Sequence, residues 1–246
     1  MPFITPETFS PNLPLGNHCH LWLLDLTQLP EDLIARQQVF LSRAELQRLQ
    51  TIKQRQAQFI AIRAFVRLCL ARYTHSRPQD LVIATQKNGK PYLVNPVSPL
   101  VFNLSHSQDM AVFAVGMEHA LGVDIESVKR KGSQRDIAER YFHQAEVAQL
   151  NKLSGTEQAN LFFRLWTLKE AFLKATGEGI SGGLDKIAFD LQGEGIKVTF
   201  ARESNTRVQE WQFFQAFINP DYCVALARNS GGATKVYWLQ GRDLFV

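Results

Sequence analysis

The chain has 246 residues, of which 45% are hydrophobic and 20% charged, with a net charge of +4 and a pI near 9.0. This composition excludes a disordered chain and leaves room for one large domain or two of roughly 120 residues. Three cysteines, Cys19, Cys69 and Cys223, are too few, too far apart and too unpaired for a disulfide framework or a zinc site, and they fit a reducing compartment.

The N-terminal stretch MPFITPETFSPNLPLG is Pro-rich and lacks the basic start and apolar core of a signal peptide. No apolar run approaches the ~18 residues that would span a bilayer. The expectation is a soluble, cytoplasmic protein with no membrane partner. HLWLLDL, from His20 to Leu26, predicts a strand; His18 and His20 flank Cys19 there, but no third ligand is nearby to make a metal site. Ser42-Arg43-Ala44-Glu45 has the form of a capping box. A long helix is predicted from about Lys53 to Tyr73, with Phe59, Ile62, Val66, Cys69 and Tyr73 on its buried side. Arg55, Arg63 and Arg67 lie off that stripe. They form either a solvated face or a phosphate clamp, for which guanidinium geometry is suited.

Asn88-Gly89 signals a tight turn between the strands LVIAT and PYLV, and it sets Lys90 just before Pro91. VFNL and MAVFAVG read as strands separated by a polar turn holding Ser105, His106, Ser107 and Asp109. In LGVDIES the period of two puts Asp124 and Glu126 on one face, and Val123 and Ile125 on the other, into the core. Two like charges side by side repel unless a cation lies between them, and hard oxygen ligands suit Mg²⁺. KRKGSQRD reads as a linker.

The stretch from Leu161 to Leu184 predicts a buried helix that ends in a glycine-rich loop. Leu161, Leu165, Leu168 and Phe172 recur at helical spacing, and Phe162, Trp166 and Leu173 widen the stripe. Lys169, Glu170 and Lys174 stand against this apolar background, where charges need partners. Gly177, Gly179, Gly182 and Gly183 follow, and backbone there can approach a ligand closely.

The chain also repeats itself. Ala44-Glu45-Leu46 matches Ala145-Glu146-Val147, Gln56-Ala57 matches Gln158-Ala159, and the run from Asp109 is echoed from Asp221. Short helix, long helix, strands and hydrophobic hairpin occur twice. The fold expected is therefore α+β, with two similar α/β-type halves in a pseudo-twofold arrangement, residues 1–118 and 119–246, and a site where they meet.

GKPY from Gly89, FNLSHS from Phe102, GVDIE from Gly122 and FFRLWTLKEAFLKATGEGI from Phe162 occur in one order over about residues 40–190. Together they resemble the 4′-phosphopantetheinyl transferase superfamily, in its two-half, Sfp-type branch. The resemblance implies transfer of the phosphopantetheine arm of coenzyme A to a serine of an acyl or peptidyl carrier protein, with adenosine 3′,5′-bisphosphate as leaving group. It implies Asp124, Glu126 and Glu170 as Mg²⁺ ligands, with Asp124, Glu170 and Lys174 carrying catalysis. Lys169 and Lys174 would bind phosphate. Lys90, Ser105 and His106 would hold the nucleotide in the first half, and the second half would hold the metal. Some family members grip the 3′-phosphate of coenzyme A with basic residues in the region of the first-half helix. Gln56 and Gln58 occupy part of that helix here, and Arg63 and Arg55 are the assignment favoured.

The serine nucleophile belongs to the partner, and Glu170 is the candidate base. An acidic carrier could dock near Lys129, Arg130 and Lys131. An internally duplicated chain can act as a monomer. The competing readings are a Mg²⁺-dependent coenzyme A or nucleotide hydrolase using the same carboxylates, and a basic nucleic-acid module. Against the latter, the Lys and Arg residues are dispersed, without aromatic interleaving.

Overall fold

The computed structural model describes residues 6–7, 15–117, 120–130, 132–179, 183–201, 210–230 and 232–245. Most of the Pro-rich lead, together with Lys131 and Gly182, lies outside the described residues. The elements run β1 (Cys19–Asp25), α1 (Glu31–Arg36), α2 (Arg43–Thr51), α3 (Gln56–Thr74), β2 (Val82–Thr85), β3 (Pro91–Asn95), β4 (Leu100–Ser107), β5 (Met110–Met117) and β6 (Leu121–Ser127). They continue with α4 (Gln134–Tyr141), α5 (Gln144–Leu150), α6 (Gly155–Thr176), β7 (Ile187–Asp190), β8 (Lys197–Phe200), β9 (Trp211–Asn219), β10 (Tyr222–Asn229) and β11 (Val236–Gln240).

The chain divides into two compact units, each of mixed α+β structure. One holds Pro6–Glu118 together with Lys235–Val246; the other holds His119–Thr234. The expected second half, 119–246, therefore loses its last strand. β11 runs parallel beside β1, with Cys19 opposite Val236 and Trp22 opposite Leu239, and gives β1 a partner on its second edge. A parallel pairing between chain ends has no hairpin turn to announce it in the sequence.

Within the first unit the sheet order is β11-β1-β5-β4, and within the second it is β6-β10-β9. β1 is antiparallel to β5, and β5 to β4; β6 is antiparallel to β10, and β10 to β9. Each unit adds a two-stranded hairpin, β2-β3 or β7-β8, after its long helix. The duplication thus extends to strand pairing. It also fixes equivalences, since Asp25 faces Met110 as Ser127 faces Tyr222. Counting back along the strands, His20, Trp22 and Leu24 correspond to Gly122, Asp124 and Glu126. Along the helices, which both end on threonine, Arg67, Leu68 and Arg72 correspond to Lys169, Glu170 and Lys174.

α3 packs Phe65, Cys69 and Leu70 on Trp22, Leu24, Phe102 and Phe113. α6 packs Leu165, Leu168 and Phe172 with Ala225 and Ala227 of β10 and Phe189 of β7. These helices hold because their apolar stripe is wide, and the short helix before each has a capped entry. Ser42 and Glu45 cap one another at α2, as His143 and Glu146 do at α5. α6 stops at Gly177, whose φ of 77° closes the helix by donating to Leu173 O at 2.8 Å. The linker expected at residues 129–136 is partly helical: α4 begins at Gln134, with Ser133 Oγ accepting from Asp136 N.

Candidate active site

The site begins with the way β6 lies on α6. Gly122, Asp124 and Glu126 share the face turned to the helix. Their β10 neighbours Ala227 and Ala225 belong to the helix-packed core. Val123 and Ile125 are buried on the opposite face, so the core under α6 lies on the carboxylate side and not on theirs. Gly122 makes this possible. A Cβ there would lie 2.2 Å from Ala171 O and 2.3 Å from Ala175 N, so only glycine lets strand backbone run against helix backbone. Sequence reasoning quoted Gly122 without giving it a role. A glycine inside a strand pattern is the signal that would have found it.

That close approach brings four charged groups together, Asp124, Glu126, Glu170 and Lys174, and Arg130 joins them from the segment after β6. Lys174 Nζ donates to Asp124 Oδ1 at 2.7 Å, and Asp124 is buried. Arg130 Nη1 donates to Glu126 Oε1 at 2.9 Å. Burial, and then the neighbouring charges of Asp124 and Glu126, push the Glu170 carboxyl up to about 7, against the opposing pull of Lys174. Glu170 Oε1 is buried and accepts no hydrogen bond from the described residues. Among those residues no group of three or more His, Cys, Asp or Glu is arranged to hold a metal ion as it stands; Lys174 and Arg130 hold two of the carboxylates. The donor set nonetheless fits a hard divalent cation. It offers three carboxylates, mutual repulsion that a cation relieves, and one buried oxygen without a hydrogen bond.

The other predicted residues lie in the first unit. Lys90 follows the Asn88-Gly89 turn, where Gly89 has φ 87° and Lys90 N donates to Asn88 Oδ1. Burial lowers the Lys90 pKa below the usual lysine value. Ser105, His106 and Ser107 are not in a turn. β4 continues through them, and only Gln108 and Asp109 turn the chain. Alternation buries Ser105 and exposes His106, so the two side chains leave opposite faces of the strand. Arg55, exposed with φ 58°, forms the N-cap of α3. Gln58 reaches from the first turn of α3 to Gln108 O at the β4–β5 turn. Arg63 is half-exposed over the Phe59 ring. Arg67 is not on a solvated face: it is buried and bound to Glu45.

His18 Nδ1 accepts from Lys235 N, and the buried His20 bonds the Tyr73 hydroxyl through Nδ1.

Lys169 requires a correction. The expected phosphate ligand has 0% exposure, and its ammonium is bound by Glu146 and by the carbonyls of Leu184 and Ile187. Adjacent helix residues point about 100° apart. With Glu170 turned to β6, Lys169 is aimed at α5 and the start of β7. Lys129 is tied to Asp221 at 2.6 Å and lines an open groove of about 870 Å³ with Asn160, Arg164 and Phe217. That groove contains none of the four clustered charges.

Residues 120–227 match the family model of the 4′-phosphopantetheinyl transferase superfamily. The chain is 36% identical to the 4′-phosphopantetheinyl transferase HetI of Nostoc sp., over 93% of this chain and 95% of that protein. It is 33% identical to the 4′-phosphopantetheinyl transferase Sfp of Bacillus subtilis, over 53% of this chain and 56% of that one. A solved holo-(acyl-carrier-protein) synthase of Bacillus anthracis, in complex with CoA, aligns with 46% of this chain and 96% of that chain at 20% identity and a TM-score of 0.38. With the likeness to HetI running almost end to end in both proteins, the chain belongs to the 4′-phosphopantetheinyl transferase superfamily and is an enzyme of that transferase type.

Proposed function

We propose that this protein transfers the 4′-phosphopantetheine arm of coenzyme A to a serine of an acyl or peptidyl carrier protein, in a Mg²⁺-dependent reaction that releases adenosine 3′,5′-bisphosphate. The observation that carries the reading is the cluster at β6 and α6. Its centre is Glu170, a half-buried carboxyl pushed up to about 7 with a buried oxygen open to a proton or a cation.

Asp124, Glu126 and Glu170 would hold Mg²⁺, which when bound neutralises the diphosphate. The chain's own residues supply the rest. Glu170 has a buried oxygen that accepts no hydrogen bond from the described residues, which leaves it available for general-base work. Glu170 Oε1 takes the proton from the carrier serine as its oxygen bonds to the phosphorus of the phosphopantetheine. The bond from that phosphorus to the oxygen of adenosine 3′,5′-bisphosphate breaks. Lys174, on the same helix face, stabilises charge developing on the phosphoryl oxygens; transfer of this kind depends on positioning and electrostatics more than on covalent help. Lys90, His106 and Arg55 in the first unit supply the basic and polar groups for the nucleotide side, with Arg63 and Ser105 as further candidates. An acidic carrier would be received near Lys129 and Arg130.

The test is intact-mass spectrometry of an apo carrier protein incubated with this protein, coenzyme A and Mg²⁺. A gain of one phosphopantetheine, abolished by EDTA and by Asp124→Ala, is the expected result. Consumption of coenzyme A with no gain on any of several carriers would replace the reading with a hydrolase.

A further inference from the structure

We infer that Lys169 is a positioning residue: a buried latch between Lys169 and Glu146 fixes α6 against α5 and the start of β7, and so sets the direction in which Glu170 and Lys174 meet β6. The part that concerns Glu170 and Lys174 rests on the function proposed above.

Three observations carry it. The first is saturation. An ammonium has three protons, and Lys169 Nζ gives them to Glu146 Oε2 at 2.8 Å, to Leu184 O at 2.6 Å and to Ile187 O, leaving none for a phosphate. The Phe142 ring closes over the nitrogen at 5.2 Å. Glu146 is equally committed: Oε1 accepts from Phe189 N at 2.9 Å, and Oε2 also accepts from His143 N at 3.0 Å. One carboxylate thereby joins the N-terminus of α5, the middle of α6 and the strand β7.

The second observation is duplication. The equivalent of Lys169 is Arg67, and the equivalent of Glu146 is Glu45. Arg67 Nε donates to Glu45 Oε2 at 2.6 Å, while Nη1 donates to Pro78 O at 2.8 Å and Leu81 O at 3.0 Å. In both units the acid closes a capping box as the third residue of its helix. In both, one carbonyl belongs to the first residue of the 3-10 turn before a hairpin and the other to the residue just after that turn: Pro78 and Leu81 around Pro78–Asp80, Leu184 and Ile187 around Leu184–Lys186.

The third is the neighbour. Residue 68 is leucine, whereas residue 170 is the site carboxyl, so the same latch stands next to chemistry in one unit only.

The experiment pairs the latches: Lys169→Met, Lys169→Arg, Glu146→Gln and the double variant Glu146→Gln/Lys169→Met in one, Arg67→Met in the other, with Glu146→Leu/Lys169→Met in case a single loss does not fold. Removing one partner of either pair should lower Tm by about 10 °C. Only the second-unit variants should also lose kcat, by about tenfold to a hundredfold below both melting points. Their coenzyme A affinity, read by calorimetry, should stay within about twofold. Lys169→Arg should restore most of kcat, because arginine fills this place in the other unit. Effects of Glu146→Gln and Lys169→Met should not add. A tenfold loss of coenzyme A affinity in Lys169→Met, with Glu146→Gln as active as the parent, would overturn the inference and return Lys169 to phosphate binding. Equal kcat losses from Arg67→Met would reduce it to general stability. If the parent transfers nothing to any carrier, the function reading falls, while the Tm losses and their coupling still decide the latch.

Discussion

The long helix of each unit meets its first strand at corresponding places, and opposite choices of residue fill them. In the first unit the positions are His20, Trp22, Leu24 and Leu68; in the second they are Gly122, Asp124, Glu126 and Glu170. Trp22 and Leu24 are fully buried in the α3 core. His20 Nδ1 and Trp22 Nε1 both reach the Tyr73 hydroxyl at 2.8 Å. Tyr73 corresponds to Ala175, whose backbone touches Gly122 in the other unit. One copy fills the space between helix and strand with large side chains. The other empties it, lets the backbones close up, and sets carboxylates beside the contact. A frame used twice can thus spend its stability on a core in one place and tolerate desolvated charge in the other, because the second sheet and helix still bury Leu165, Leu168, Phe172 and Ala225.

The sharpest way to break this contrast is to write the first unit's residue into the second. Glu170→Leu should cut carrier modification by about 10³-fold, a loss comparable to deleting a key electrostatic group, while Tm rises because a desolvated carboxyl is replaced by an apolar side chain. Initial rates by intact mass and a thermal melt check both halves of the claim; a fall in Tm would show that Glu170 contributes to the fold.

Next in size is Gly122→Ala. The added Cβ forces β6 and α6 apart, and overpacking of this kind costs about 1–3 kcal/mol. Misplacing Asp124 relative to Lys174 should lower kcat by about a hundredfold. Urea unfolding alongside kcat measures the two effects separately. Unchanged activity would mean that the close approach is not what assembles the cluster.

A smaller effect appears in the pH dependence of stability. Glu170 titrates at 4.5 when unfolded and at about 7 when folded, so between these values the folded chain binds the extra proton. Its contribution to stability is present below pH 4.5 and is lost as the pH rises through about 7. Urea midpoints in EDTA should therefore show a downward component across this window that Glu170→Gln removes. Leu68, its counterpart, has nothing to titrate, so changing it should leave the slope alone.

The smallest expected change comes from Arg130→Ala. The Arg130 side chain is exposed, and pairs of this kind contribute little. Freeing Glu126 from this pair should lower the Mg²⁺ concentration for half-maximal rate by about twofold, and loss of a docking charge should raise the KM for the carrier by about as much. A rise in carrier KM with no change in the Mg²⁺ requirement would leave Glu126 outside the metal set.

Local sequence patterns reached a long way into this molecule. The apolar stripe of α6, the capping box at Ser42 and Glu45, the Asn88-Gly89 turn and the period of two that aligns Asp124 with Glu126 are all short-range, and each appears in the structure. The internal repeat was legible for the same reason, since two copies of one local order look alike in one dimension. Long-range pairing decided the rest. Whether Lys169 or Lys174 faces the carboxylates depends on how α6 is rolled on its sheet. Spacing cannot supply that roll, because lysines five residues apart are separated by more than a full turn. The parallel seat of β11 beside β1 has no turn to signal it. The continuation of β4 through Ser105 and Ser107 is set by its partner β5, which overrides the turn propensity of short polar residues. Residue chemistry and period are written in the chain; which side of a buried helix each charge occupies is decided only when helix and strand pack, because that choice minimises exposed apolar surface and unpaired charge together.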